Sequence, residues 1–488
     1  MILYISFGTF AQEAGPPDAA GKPEEIPPVS GGEAVPETGP DTPPPESGEA
    51  APPDVEPPEN TVESARLATI RYGTETEIAA LIQTLKNEGS DYLDNELTVL
   101  VENTRNQQIL SGVFAFFGDR EQKGLENRAI RAIEERDDEA NETVLAAADY
   151  LGKVKAGKGA RVLMNLLDSQ ERRFMGTAFR ALGRAGGADK DIADDTADYL
   201  IDYYTNRDPG EENRREIITA VGAAGSTRGV SFLAEIAGGS EERTVLRIAA
   251  LDALAKIGDQ EGLNAIVTSV SSSDPNVRSS AVAALGPFSG ENVDNAILEA
   301  FRDSYYRTRI AAAQASRDRK FEKAVPYLRY RAERDEVPAV KDEAIRALEA
   351  IGTGECLSII EALFSERKNS DRVRIVSAEM LMRNDPGTYT NRLIIELDEA
   401  KTKNQTPLYN GFLKIIGESK AEKLEDLTRR FLTSGGIIEK SYALDMAANN
   451  GFRGLTEEVR ALTTDKNASL ARKAQRTLET LEEGNVNE

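Results

Sequence analysis

Between residues 140 and 488 the chain returns eleven times to one short pattern. It reads VRSSAVAAL at 277–285, LRIAALDAL ending at Leu254, VKDEAIRAL ending at Leu348 and VRIVSAEML ending at Leu381. Weaker copies end at Leu151, Leu182, Val221, Ser316, Leu413, Ala447 and Leu478. Successive anchors lie 31 to 34 residues apart, except for one step of 39 between Leu182 and Val221. A period of roughly 20–50 residues marks stacked supersecondary units, none of which can bury its apolar face alone. The 488 residues would otherwise suggest two to four ordinary domains, at roughly 150 residues each.

Each unit predicts two helices. The anchor helix places apolar or small residues at i, i+3, i+4 and i+7, as in Val277, Ala281, Ala284 and Leu285. A glycine-containing turn follows, at Gly258, Gly352 and Gly417, then a second amphipathic helix such as 263–270 or 356–364. Asp274-Pro275 and Asp208-Pro209 supply a capping carboxylate before a first-turn proline. Alanines at the crossings let helix axes come close. No stretch alternates like a half-buried strand, so the expected class is all-α.

Seven residues before the anchor, six successive units carry Arg214, Arg247, Arg278, Arg309, Lys341 and Arg374. Seven residues turn a helix through about 700°, close to two full turns. The base therefore lies on the buried stripe and needs a partner. Acids stand in the preceding turn: Glu211, Glu242, Asp274, Asp303, Asp335 and Asp371. The expectation is a structural ladder of base–acid pairs joining neighbouring units, with the long stems as apolar spacers.

Composition narrows the chemistry. With no His, one Cys and no Trp, the chain has no histidine proton shuttle, no Ser-His-Asp or Cys-His catalysis, no intrachain disulfide and no Cys/His zinc site. Its formal charge is −24, unlike the basic domains that bind nucleic acid. Residues 12–60 hold fourteen of the 21 prolines and twelve acids against Lys22 alone, a net of −11. With no aromatic residue and only four Val or Ile residues, that segment is expected to be a disordered, self-repelling linker. Residues 61–488 carry −13. Residues 1–11 are largely apolar and uncharged and end in Thr9-Phe10-Ala11. They read as the remnant of a signal peptide cleaved before Gln12, although its basic region is missing from the given start. They are too short to span a bilayer, which takes about 20 apolar residues.

The repeat resembles the HEAT family, including the short repeats of phycobilisome-lyase-like proteins. The likeness rests on DPNVRSSAVAALG at 274–286, RIAALDALAKIG at 247–258 and VKDEAIRALEAIG at 340–352. It covers about 140–480; residues 61–139 look like degenerate capping units, at 62–73 and 106–118, with an extra helix near 92–103. Thr406 at a basic position, the polar anchor Ser316 and the 39-residue step depart from the pattern. The resemblance implies an α-solenoid of about 11–13 helix pairs with the anchor helices on its concave side, a surface for partners and not a catalyst.

Two stretches stand out from the background. Residues 302–334 hold ten bases against four acids, interleaved with tyrosines. Arg and Tyr are enriched at binding hot spots. Arg302, Tyr305, Tyr306, Arg307, Arg317, Arg319, Lys320, Tyr327, Arg329, Tyr330 and Arg331 are therefore the candidate partner-binding residues, set against a plainly solvated basic face. Residues 189–212 hold nine acids and two bases; a calcium site there lacks the EF-hand's central Gly and terminal Glu, and a solvated stripe is the plainer reading. The glycines at 157–159 and 183–187 lack phosphate-loop spacing and are assigned to repeat turns. Cys356 is assigned to the core.

The expected protein is a non-enzymatic, monomeric HEAT scaffold that binds protein partners, has no cofactor, metal or transmembrane span, and is exported to the periplasm or cell envelope. Its rivals are a phycobilin-lyase-like enzyme or accessory factor, and nucleic-acid binding through 302–334.

Overall fold

The structure is a computed structural model that describes residues 62–207 and 209–483. The leader and the linker expected within residues 1–61 lie outside the described residues, as does Asp208. All regular structure among the described residues is helical. In chain order the α-helices are α1 (Val62–Tyr72), α2 (Glu75–Glu88), α3 (Asp94–Asn103), α4 (Gln107–Asp119), α5 (Glu126–Glu134), α6 (Asn141–Lys153), α7 (Ala160–Asp168), α8 (Arg172–Gly186) and α9 (Lys190–Asn206). There follow α10 (Glu211–Ala224), α11 (Val230–Gly238), α12 (Thr244–Ile257), α13 (Gln260–Ser269), α14 (Pro275–Ala284), α15 (Glu291–Ala300), α16 (Tyr306–Asp318), α17 (Val325–Arg334) and α18 (Pro338–Ile351). The last are α19 (Gly354–Ser365), α20 (Asp371–Asn384), α21 (Pro386–Thr402), α22 (Thr406–Glu418), α23 (Glu425–Ser434), α24 (Ile437–Asn450), α25 (Thr456–Leu462) and α26 (Ala468–Glu483).

The eleven anchors all fall on the even-numbered helices from α6 to α26 or, for Leu285, on the residue that ends α14. Each even helix packs on the even helices before and after it, from α2 through α26. These helices form one continuous layer, the anchor layer, and the odd helices form the second. The core runs between the layers as one uninterrupted cluster from Ile70 to Leu481. Five units replace the turn after the anchor helix by a short 3-10 segment, as at Gly157–Gly159.

Local signals explain the boundaries. Asp274 accepts the Asn276 N–H at 2.8 Å with Pro275 in the first turn, as expected. Gly258 and Gly352 end their helices with φ of +68° and +72°, a conformation in which a Cβ is strained. Two expectations shift. Gly417 lies inside α22, where it faces Tyr442. Pro209 precedes α10, which begins at Glu211 after Gly210, so it is not a first-turn proline. The 39-residue step comes from α9, a 17-residue helix where α7 and α11 have nine.

The glycines of 183–187 are also not a turn. Gly183 and Gly186 are within α8, and a Cβ on Gly183 would lie 2.6 Å from the Ala220 Cα. The same contact recurs on either side: a Cβ on Gly152 would lie 2.7 Å from the Ala181 Cα, and one on Gly222 2.7 Å from the Ala253 Cα. Each glycine follows an anchor and each alanine precedes the next. From α6 to α12, then, backbone rests on alanine at every step between anchor helices. By contrast the glycines at 157–159 do form a repeat turn, and Cys356 is fully buried.

The polar anchor Ser316 is buried and donates to the Ala312 carbonyl at 2.8 Å, which satisfies its hydroxyl within the helix. Thr406, at the basic position, is the first residue of α22, whereas the bases stand on the fourth residue of their helices. No described helix is long and apolar enough to cross a membrane.

Candidate partner-binding surface

The surface is best read from the charges the lattice consumes. Arg309 is 4% exposed and grips Asp335 through two bonds, Nε at 2.7 Å and Nη2 at 2.8 Å, while Nη1 donates to the Asp303 and Ser304 carbonyls. Arg278 repeats this on Asp303, at 2.7 and 3.0 Å. Both partners belong to the following unit, not to the base's own preceding turn. The local acid is already engaged: Asp274 caps α14 and accepts the Thr244 hydroxyl. Asp303 and Asp335 accept the Tyr305 and Val337 N–H groups, so each carboxylate holds the turn that leads into one helix together with the previous unit's guanidinium. Burial alone would push the Asp335 and Asp303 carboxyls up, but Arg309 and Arg278, with the Val337 and Tyr305 N–H groups, hold both below the ordinary value.

The other four bases find different acceptors. Arg374 donates to the Phe364 carbonyl and to Glu396, at 3.0 and 2.6 Å, instead of Asp371. Arg247 donates to the Ala237 carbonyl at 3.0 Å and Lys341 to the Glu333 carbonyl at 3.0 Å. Arg214 lies 5.3 Å from the Tyr204 ring centroid. Glu242 and Asp371 are not used, and Glu211 instead meets Arg243 of the next unit. What recurs is the base; the acid partner varies with the neighbour.

The solvent face of the anchor layer carries a second set of pairs that sequence reasoning missed. Arg184 meets Asp149 at 3.5 Å, Arg180 meets Glu216 at 3.3 Å, Arg372 meets Asp342 at 2.6 Å and Lys473 meets Asp445 at 2.6 Å. Arg317 pairs with Glu343 in the same way. Each joins adjacent even helices. A signal existed, in opposite charges recurring near the anchors of successive units, but it lacks a fixed register.

The basic stretch 302–334 divides between the two ends of α16, roughly 18 Å apart. At its C-terminal end the bases are largely neutralised. Arg317 pairs with Glu343 and Asp318, while Arg319 and Lys323 share Asp294 at 2.9 and 3.0 Å; Lys320 is exposed in the turn. At its N-terminal end Arg302 pairs with Glu299 and lies 5.6 Å from the Tyr327 ring, which packs on Phe301. Tyr305 and Tyr306 meet edge to face at 5.4 Å, and the exposed Arg307 donates to the Tyr306 hydroxyl at 3.2 Å. On α17, Arg329 pairs with Glu333 and Arg331 with Asp335; Tyr330 is 58% exposed.

The acidic stretch is also engaged. Asp189 caps α9, Asp194 accepts from Ser226 and Lys190, and Asp198 pairs with Arg228. These partners use the oxygens a cation would need.

A family model described as spirochaete HEAT repeat protein matches residues 70–477. No curated protein matches the sequence significantly. Among solved structures, Kap121p aligns with 86% of this chain and 51% of its own, at 12% identity and a TM-score of 0.44. This chain thus spans about half the length of Kap121p. Human deoxyhypusine hydroxylase aligns with 48% of this chain and 99% of its own, at 18% identity and a TM-score of 0.23. The complex of CpcE and CpcF of phycocyanin lyase from Nostoc aligns with 50% of this chain and 92% of its own, at 16% identity and a TM-score of 0.26. At these identities the likeness is one of fold alone.

Proposed function

Since the chain belongs to the spirochaete HEAT repeat proteins, we propose that it is a non-enzymatic scaffold that holds protein partners on the faces of its helical array. The observation that carries this reading is the contrast between engaged and free groups. Arg278, Arg309, Arg317, Arg319 and Arg374 are neutralised by carboxylates of neighbouring helices or turns, whereas the start of α16 leaves Arg307 exposed beside the paired rings of Tyr305 and Tyr306. Rigid aromatic rings next to a guanidinium without a carboxylate suit an acidic protein surface. Of the eleven candidate residues, Tyr305, Tyr306 and Arg307, with the exposed Arg302 that pairs only with Glu299 three residues before it, are the contact we favour; Arg317 and Arg319, engaged by acids of neighbouring helices, are better read as lattice.

Export to the periplasm or cell envelope belongs to the same proposal and rests on residues 1–11 alone. Charge reversal at Arg302 and Arg307, together with Tyr306→Ala, is expected to remove the specific partners that co-purify with the protein from its own cells. An unchanged set of partners overturns the assignment of this surface. N-terminal sequencing of the protein from separated cell fractions is expected to find Gln12 first, outside the cytoplasm; an intact Met1 on cytoplasmic protein overturns export.

A further inference from the structure

On the anchor-layer face, opposite charges of adjacent helices usually close on one another, as Arg180 does on Glu216 and Arg372 on Asp342. Between α10 and α12 they do not. Arg215 on α10 and Asp252 and Lys256 on α12 flank a cleft of about 370 Å³. None of the three closes an ion pair with another described residue, although Asp252 feels the field of both cations. The carboxylate is open to solvent along the cleft yet ringed by protein on its other sides, and this desolvation raises its pKa against the two cations, which lower it. The cleft's apolar wall is Val245, 40% exposed, and Ile248. The Gly222–Ala253 contact brings the helices together beneath without using any of these charges.

We propose that this cleft binds an extended polypeptide segment of a partner protein, which seats one Asp or Glu carboxylate between Arg215 and Lys256 and one aliphatic side chain against Val245 and Ile248. Three features choose this occupant. Two cations face one anion, so a ligand group of one negative charge balances the site, and a guanidinium takes a carboxylate by paired bonds. The apolar wall lies beside the cations, so the acid and the aliphatic group must be close in one chain. Asp252 is left to accept a main-chain N–H, which an extended peptide supplies and a compact inorganic anion does not. The volume suits a few side chains, at the small end of the roughly 300–1,000 Å³ of ligand sites.

The proposal rests on the scaffold reading but is tested separately, with purified protein and a displayed library of short random peptides. Selection on the unmodified protein is expected to enrich peptides with an acidic residue close to an aliphatic one. Their affinity, read by fluorescence anisotropy, should fall about tenfold or more in the Arg215→Glu, Lys256→Glu double variant, weaken with added salt and survive Asp252→Asn with the acid still required. Both reversed residues are exposed, and far-UV circular dichroism checks that the helices persist. Charge reversal at Arg302 and Arg307 should leave these peptides bound. Unchanged affinity in the double variant, or enrichment of basic or unpatterned peptides, overturns the cleft and leaves the scaffold reading standing. If no peptide is enriched, the cleft proposal falls, and loss or retention of cellular partners in the α16 variant decides the scaffold reading independently.

Discussion

The array joins its units in two ways. From α6 to α12, glycine after one anchor rests on alanine before the next, as Gly183 does on Ala220. From α14 to α18, a guanidinium on the buried stripe reaches a carboxylate in the turn that opens the following unit, as Arg309 does on Asp335. The first joint uses backbone and needs no charge; the second consumes one base and one acid at each step. Two of the three close-approach steps still add an exposed ion pair, Arg184 with Asp149 and Arg180 with Glu216, but the α10–α12 step adds none and leaves Arg215, Asp252 and Lys256 without an ion pair. Where close approach alone holds two anchor helices, as at α10–α12, their charges remain for other molecules.

The largest expected effect is at the second kind of joint. Arg309→Ala leaves the buried Asp335 carboxylate with Arg331, at 3.2 Å, as its one remaining base and should destabilise by about 3 kcal/mol. Because each unit contacts only its neighbours, the loss should also split urea unfolding, followed by circular dichroism, into two resolved transitions. Next comes Gly183→Ala at the first kind of joint, where the new methyl meets the Ala220 backbone and should cost about 1–3 kcal/mol, against the ordinary helix preference for alanine. Arg278→Ala, in a more exposed copy of the Arg309 joint, should cost about 1–3 kcal/mol; a fall well below about 1 kcal/mol would mean that the pair does not hold the units. The smallest effect is expected for Arg214→Ala, which removes an interaction with a tyrosine ring worth about 0.5–1 kcal/mol.

Acid should separate the two regions as well. A carboxyl held below its ordinary value binds fewer protons in the folded chain than in the unfolded one. Its stabilisation is complete above about pH 4 and disappears as pH falls through the lower, folded-state value. Asp303 and Asp335 are such groups. The α14–α18 units should therefore lose stability below about pH 4, and Asp335→Asn should flatten that part of the stability curve. Asp252, whose pKa lies above the ordinary carboxyl value through desolvation, has the opposite sign: its ionisation opposes folding as pH rises through the ordinary value.

The sequence and the structure agree where periodicity carries the information. Every anchor sits in one layer, because a 3.6-residue period and a constant step leave no other way to bury the same stripe in each unit. They part where one residue type serves two purposes. Glycine ends a helix four residues after its anchor at Gly258 but fills a crossing one residue after its anchor at Gly183, and reading every glycine as a turn residue overlooks that offset. Acids are the second case. Asp274 lies four residues before Arg278 in sequence, but its oxygens cap α14 and meet Thr244, and the guanidinium reaches Asp303 in the turn before α16. The base was legible because the helix stripe fixes where it points; its partner depends on which neighbouring oxygens remain. The basic stretch 302–334 looked like a single patch for a similar reason. Composition counts charges along the chain, whereas α16 carries them to opposite ends and five of the ten bases pair with Asp294, Glu343 or Asp335.

Double-mutant cycles in urea denaturation test the contrast most directly, one on Arg309 and Asp335 and one on Arg215 and Asp252. Coupling of about 2 kcal/mol or more is expected in the first pair and less than about 0.5 kcal/mol in the second. Equal couplings, or a larger one between Arg215 and Asp252, would contradict the division between charges that join the units and charges left free to meet a partner.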